Sequence, residues 1–123
     1  MTKVPLISIV DDDEALRTSL ENLVRSVGFR TQGFSSGEAF LTSNHLHDTA
    51  CLLLDVRMAR MNGLEVQGQI VASNLPIPII FMTSFADEDV RAKAMAAGAV
   101  DFLYKPFSEE ILFKAIDKAL QRS

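Results

Sequence analysis

Short apolar runs alternate with amphipathic stretches along this chain, and that alternation predicts an α/β fold in which helices cover both faces of a parallel sheet. Five runs read as strands: LISIV at 6–10, FRTQGF at 29–34, CLLLD at 51–55, IPIIFMT at 77–83 and VDFLY at 100–104. A helix is expected after each. The first sets Leu16, Leu20, Leu23, Val24 and Val27 on one face, with Gly28 placed to stop it. The second is expected to open at SSGE, where Ser35 and Glu38 have capping-box spacing. The third covers 64–73 and is weakened by Gly68. The fourth, DEDVRAKAMAAG, has acidic residues at the positive end of its dipole and Gly98 at its stop. Its apolar face is mostly alanine, so it is expected to be loosely anchored. The fifth begins at Ser108 and is expected to bury Ile111, Leu112, Ala115, Ile116, Ala119 and Leu120.

Composition narrows the class without changing this picture. A chain of 123 residues, 48% hydrophobic and 23% charged, is long enough and apolar enough for one ordinary globular domain, expected to span 1–123. No repeat, linker or low-complexity segment interrupts it. The opening MTKVPLISIV has no small-residue cleavage site, and no apolar run approaches membrane-spanning length, so a cytoplasmic domain without membrane contact is expected. Cys51 is the sole cysteine, and because it opens an apolar run it reads as a buried small hydrophobe. The net charge of −4 is evenly spread, with six basic and eight acidic residues on either side of Asn62, so no basic patch suggests that this domain binds nucleic acid itself.

Chemistry should be sought at the strand ends, because ligands of doubly wound sheets bind beyond the carboxyl ends of the strands, where strand order reverses. The first strand runs into Asp11 and Asp12, the third ends at Asp55, the fourth at Thr83, and the fifth runs on to Lys105. The second ends in Phe34 and Ser35 with nothing reactive, as suits an edge strand away from a site. Singly, each residue has an ordinary explanation: an acid capping a helix, a strand threonine, a solvated lysine before a turn. Together they describe acids, a hydroxyl and an ammonium at one edge of one sheet.

The segments IVDDDE, LLLDVRMARMNG, IIFMTS and AVDFLYKPF, in this order and spacing, resemble the receiver domain of two-component response regulators, and the FixJ-like subgroup in particular. The resemblance covers nearly the whole chain. It implies a flavodoxin-like (CheY-like) sheet of five parallel strands, order 2-1-3-4-5, with five helices. By motif position it implies that Asp55 is the phosphoacceptor, that Asp11 and Asp12 form the acidic pair for a divalent metal, and that Thr83 and Lys105 are the switch hydroxyl and the lysine of the site. Phe102, three residues before Lys105, matches the aromatic switch position. A cis bond between Lys105 and Pro106 is also implied, although a lone X–Pro bond would ordinarily be trans.

The resemblance gives the run of acids at 11–14 a purpose. Converging carboxylates repel, and a small hard cation, Mg2+ or Mn2+, prefers oxygen ligands and relieves that repulsion. Asp12 and Asp55 are expected to bind it directly, with the main-chain carbonyl of Arg57 and water, and Asp11 through water. Asp13 and Glu14 are expected in the first turn of the first helix, where the dipole favours acids. Phosphoryl transfer from a sensor histidine kinase to Asp55 would rest on positioning and charge neutralisation, with Lys105 assisting. Thr83 would then swing toward the acyl phosphate and Phe102 turn into the space left. The face formed by the fourth helix, fifth strand and fifth helix, which includes Tyr104, is expected to become a homodimer surface. FixJ-like receivers usually precede a helix-turn-helix domain, so contact with DNA is expected only through an output domain absent from this chain.

One departure from the family pattern is Ala59, where proline is common; proline there would stiffen the loop, typically by about 0.4–1 kcal/mol through the unfolded chain. Arg57 and Phe85 flank the site two residues after Asp55 and Thr83, and a kinetic role for both is expected. A haloacid-dehalogenase-type phosphatase needs a second acid two residues after its nucleophile, where this chain has Arg57. A flavodoxin needs a first loop that accepts phosphate, which DDDE would repel. A degenerate receiver acting without phosphorylation is the alternative that remains, and it leaves the intact set of five site positions unexplained.

Overall fold

In the computed structural model, which describes residues 3–122, the chain forms strands β1 (Leu6–Val10), β2 (Arg30–Phe34), β3 (Thr49–Asp55), β4 (Ile79–Thr83) and β5 (Asp101–Tyr104). Helices α1 (Glu14–Ser26), α2 (Gly37–Leu41), α3 (Gly63–Ala72), α4 (Glu88–Ala96) and α5 (Glu109–Arg122) alternate with them, and a short 3-10 turn, Leu46–Asp48, precedes β3. All neighbouring strands are parallel and their order is β2-β1-β3-β4-β5, as expected. Met1, Thr2 and Ser123, which the expected domain span includes, lie outside the described residues.

Alternation along the buried strands sorts the core into two layers. Ile7, Ile9, Cys51, Leu53, Ile80, Met82 and Leu103 face α1 and α5, where Leu20, Val24, Leu112 and Ile116 meet them. Val10, Leu52, Leu54, Phe81 and Phe102 point the other way, toward Phe40 of α2, Val66 and Ile70 of α3 and Ala94 of α4. Cys51 is fully buried, and burial pushes its thiol up to about 12. No described helix is long and apolar enough to cross a membrane.

Several boundaries differ from expectation for local reasons. β4 begins at Ile79 and not at Ile77, since Pro76 and Pro78 have no N–H to give a ladder; the Pro78 carbonyl still accepts from Leu52 N at 2.9 Å. β3 begins two residues early, across a register shift between Leu6 and Ile7. The expected capping box at Ser35 and Glu38 does not form. Ser36 is the N-cap of α2, its hydroxyl accepting from Ala39 N at 3.1 Å. The capping box of this fold sits on α3, between Asn62 and Glu65. Val27, expected on the buried face of α1, is its exposed C-cap, followed by Gly28 at φ +104°. Ile111 is half exposed because it stands in line with Lys114 and Lys118 on the rim of the α5 stripe, whereas Leu112, Ala115, Ile116 and Ala119 are buried.

Candidate functional site

The strand ends bring the predicted residues together. Asp11, just past β1, is wholly buried; its Oδ1 accepts from Asp13 N at 2.9 Å and its Oδ2 from Lys105 Nζ at 2.9 Å. Asp55, closing β3, is 6% exposed and accepts from the same Nζ at 3.2 Å. Asp12 stays exposed, yet carboxylate oxygens of Asp11, Asp12 and Asp55 all lie within 4.8 Å of one another. The Lys105–Pro106 bond is cis, and Lys105 N donates to Thr83 O at 2.7 Å, joining the ends of β5 and β4.

One ammonium cannot neutralise three carboxylates. Burial and the charge of Asp11 raise the Asp55 carboxyl to about 6 despite Lys105. For Lys105, burial pulls the other way, but the hydrogen bond to Asp11 and the charges of Asp55 and Asp11 outweigh it and leave the ammonium held more tightly than usual. Two negative charges therefore remain uncompensated on a compact set of hard oxygen donors. That donor set suits a divalent magnesium-type ion and not a soft metal, which would require sulfur or imidazole.

Thr83 is buried at the end of β4, and its hydroxyl is engaged by Phe85 N at 3.1 Å. Phe102 is buried, tilted against Phe81 at 5.9 Å and edge-on to Tyr104 at 5.5 Å; Tyr104 is partly exposed, on the same side of β5 as expected. Arg57 and Phe85 come from different loops and meet, with the guanidinium carbon 4.2 Å from the ring centroid. Of the leftover acids, Asp13 is the N-cap of α1, accepting from Leu16 N at 3.1 Å, and Glu14 lies in its first turn.

Some residues around the site had not been anticipated. A cleft of about 370 Å³ beside Asp12 is walled by Ser35, Ser36, Glu38, Met58 and Arg60, so the end of β2 is closer to the acids than its edge position suggested. The Arg17 guanidinium donates to Asp11 O at 2.8 Å and steadies the acidic turn. Gly63 lets α3 start against the site: a Cβ there would lie 2.6 Å from the Asp55 carbonyl. The spacing of NGLE was the available signal for that helix start.

The response regulator receiver domain matches residues 7–117. This chain belongs to that family. The receiver is 47% identical over 116 residues to the response regulator protein TmoT of Ectopseudomonas mendocina, covering 94% of this chain and 53% of that protein. It is 37% identical to the transcriptional regulatory protein FixJ of Bradyrhizobium diazoefficiens, covering 100% of this chain and 60% of that protein. A crystal structure of FixJ-N superimposes with a TM-score of 0.88 at 34% identity, covering 98% of the receiver and 96% of that chain. The receiver thus spans about half the length of the curated relatives it matches. Membership places it in two-component signalling.

Proposed function

We propose that Asp55 accepts a phosphoryl group from a sensor histidine kinase and that the acyl phosphate switches the domain to control an output, transcription, as the relatives named transcriptional regulatory proteins suggest. The observation that carries this reading is the convergence of Asp11, Asp12 and Asp55, with one lysine bonded to Asp11 and Asp55, at three strand ends. In the reaction an Asp55 oxygen forms the new bond to phosphorus as the bond to the donor histidine nitrogen breaks. Lys105, already 3.2 Å from Asp55, balances the negative charge that the phosphoryl oxygens bring. Asp12, Asp55 and the Arg57 main-chain carbonyl would hold Mg2+ or Mn2+, with Asp11 acting through water. When bound, such an ion supplies further charge neutralisation at the phosphoryl oxygens.

Thr83 would leave Phe85 N for the phosphoryl group, and Phe102 would move into the space vacated, reshaping the face of α4, β5 and α5 into a homodimer surface. DNA would be reached only through an output domain outside this chain, and the protein would work in the cytoplasm. Arg57 and Phe85, stacked on each other, would screen the acyl phosphate from water. Intact mass spectrometry after incubation with a small phosphodonor and magnesium tests the central claim. The parent should gain one phosphoryl group and Asp55→Asn none; a parent that gains nothing would leave a phosphorylation-independent interaction module as the better reading.

A further inference from the structure

Gln67 is a polar side chain on the buried face of α3, 3% exposed, and its Nε2 donates to the main-chain carbonyl of Ala94 in α4 at 2.9 Å. Burying an amide is unfavourable unless it finds a partner, so this bond is what makes glutamine tolerable here. The Ala94 carbonyl also accepts from Ala99 N at 3.1 Å, in the turn that ends α4 at Gly98, φ +103°. The Gln67 bond therefore attaches the last turn of α4 to α3.

α3 is itself firmly seated. The Asn62–Glu65 capping box closes its first turn, Gly63 N donates to Val56 O at 2.8 Å, and Gly63 abuts the Asp55 carbonyl. One helix thus touches the backbone of the candidate acceptor at its start and holds α4 one turn later. Among the described residues the opposite end of α4 shows no such hydrogen bond to α3: it follows exposed Ser84, Phe85 and Ala86, Val90 there is only partly buried, and Ala94 is the single buried residue of the helix.

We propose that Gln67 is a positioning residue that pins the last turn of α4 to α3 in the arrangement seen here and so sets how readily the domain leaves it. The proposal rests on the acceptor reading of Asp55. In this arrangement the Thr83 hydroxyl is engaged by Phe85 N, which is the state expected before phosphorylation. Displacing α4 loads or breaks the Gln67 bond, so the bond favours the unmodified state. A ligand that favours the other state works against it, and removing the bond makes the change easier.

Gln67→Leu keeps the volume and removes the donor; Gln67→Glu sets a carboxylate against the carbonyl. Hydrogen exchange of the unmodified protein should show faster exchange at Ala97–Ala99 with β1 and β3 unchanged. Affinity for beryllofluoride with magnesium should rise about three- to five-fold in Gln67→Leu, the factor one neutral hydrogen bond is worth, and more in Gln67→Glu. A purely structural role would leave that affinity unchanged or lower it. Unchanged exchange, or affinity that does not rise, overturns the proposal. If Gln67→Leu does not fold, Gln67→Met carries the same test. A parent that neither binds the mimic nor takes a phosphoryl group would count against the acceptor reading instead, and exchange at Ala97–Ala99 would still decide whether the pin exists.

Discussion

α1 and α5 bury Leu20, Val24, Leu112, Ala115, Ile116 and Ala119 over one face of the sheet, whereas α4, on the other, buries Ala94 alone and leaves Ala92, Ala96 and Ala97 exposed. Both helices and sheet obey the same packing rules, so the difference is one of apolar area. A helix seated by leucine and isoleucine holds the strands, and the residues at their ends, in fixed register. A helix seated by one buried alanine and the partly buried Val90 and Met95 is freer to answer a change beneath it. The site draws on both sides: Asp11 and Lys105 join strand ends across the firm core, while Thr83 leads directly into the loop before α4.

The largest expected effect comes from testing that asymmetry in the core. Ile116→Ala should cost about 2–5 kcal/mol, the range for emptying a fully buried aliphatic site. Val90→Ala, on half-buried α4, should cost less than about 1 kcal/mol. Urea unfolding of the two variants checks the pair. Similar losses would show that α4 contributes to global stability as much as α5 does.

Charge at the site gives the next effect. Burial first, and then the charge of Asp11 that Lys105 does not fully balance, raise the Asp55 carboxyl to about 6. In a chelating buffer at neutral pH, Asp55→Asn should therefore be more stable than the parent, by on the order of 1–3 kcal/mol. Adding magnesium should stabilise the parent and leave the variant nearly unmoved. A destabilised variant without metal would mean that the Lys105 contact outweighs the repulsion.

What the sequence showed and concealed follows the same physics. Strand ends were legible because an apolar run that stops at an acid, a threonine or a lysine marks both the element and its site, as at Asp55, Thr83 and Lys105. The alanine content of α4 announced its weak seat. Tandem serines hid the cap of α2: Ser35 alone has an acid, Glu38, three residues on, yet the chain's path after β2 makes Ser36 the cap. Gln67 reads as a surface glutamine, although Gly63, Val66, Gln67 and Ile70 share the helical spacing of a buried face. The Arg57–Phe85 contact joins two loops, and no local pattern encodes such a meeting.

Helix caps compare the two sides at about equal chemical cost. Asp13 caps α1 through Leu16 N, and Asp87 caps α4 through Asp89 N and Val90 N. Alanine at either should remove about 1 kcal/mol of helix stability. On the firm side that loss should appear as a lower global unfolding midpoint. On α4 it should appear as faster local hydrogen exchange with little change in the midpoint. Asp13→Ala should also leave magnesium affinity intact where Asp12→Ala weakens it; equal weakening would place the metal ligands one residue from where they are assigned.

The smallest effect belongs to the stack over the site. Phe85 is 54% exposed and Arg57 lies 4.2 Å from its ring centroid, a geometry in which an exposed cation–π contact is worth about 0.5–1 kcal/mol. A double-mutant cycle on Arg57→Ala and Phe85→Ala should return a coupling of that size. The kinetic consequence should exceed the thermodynamic one, because the pair bridges the loops after Asp55 and Thr83. Removing the ring would open a path for water to the acyl phosphate. The lifetime of phosphorylated protein, followed by intact mass after the phosphodonor is removed, should shorten in Phe85→Ala and shorten similarly in Arg57→Ala. If the coupling is present but both lifetimes equal the parent's, the stack orders the loops without shielding the phosphoryl group, and water reaches Asp55 from the open cleft beside Asp12.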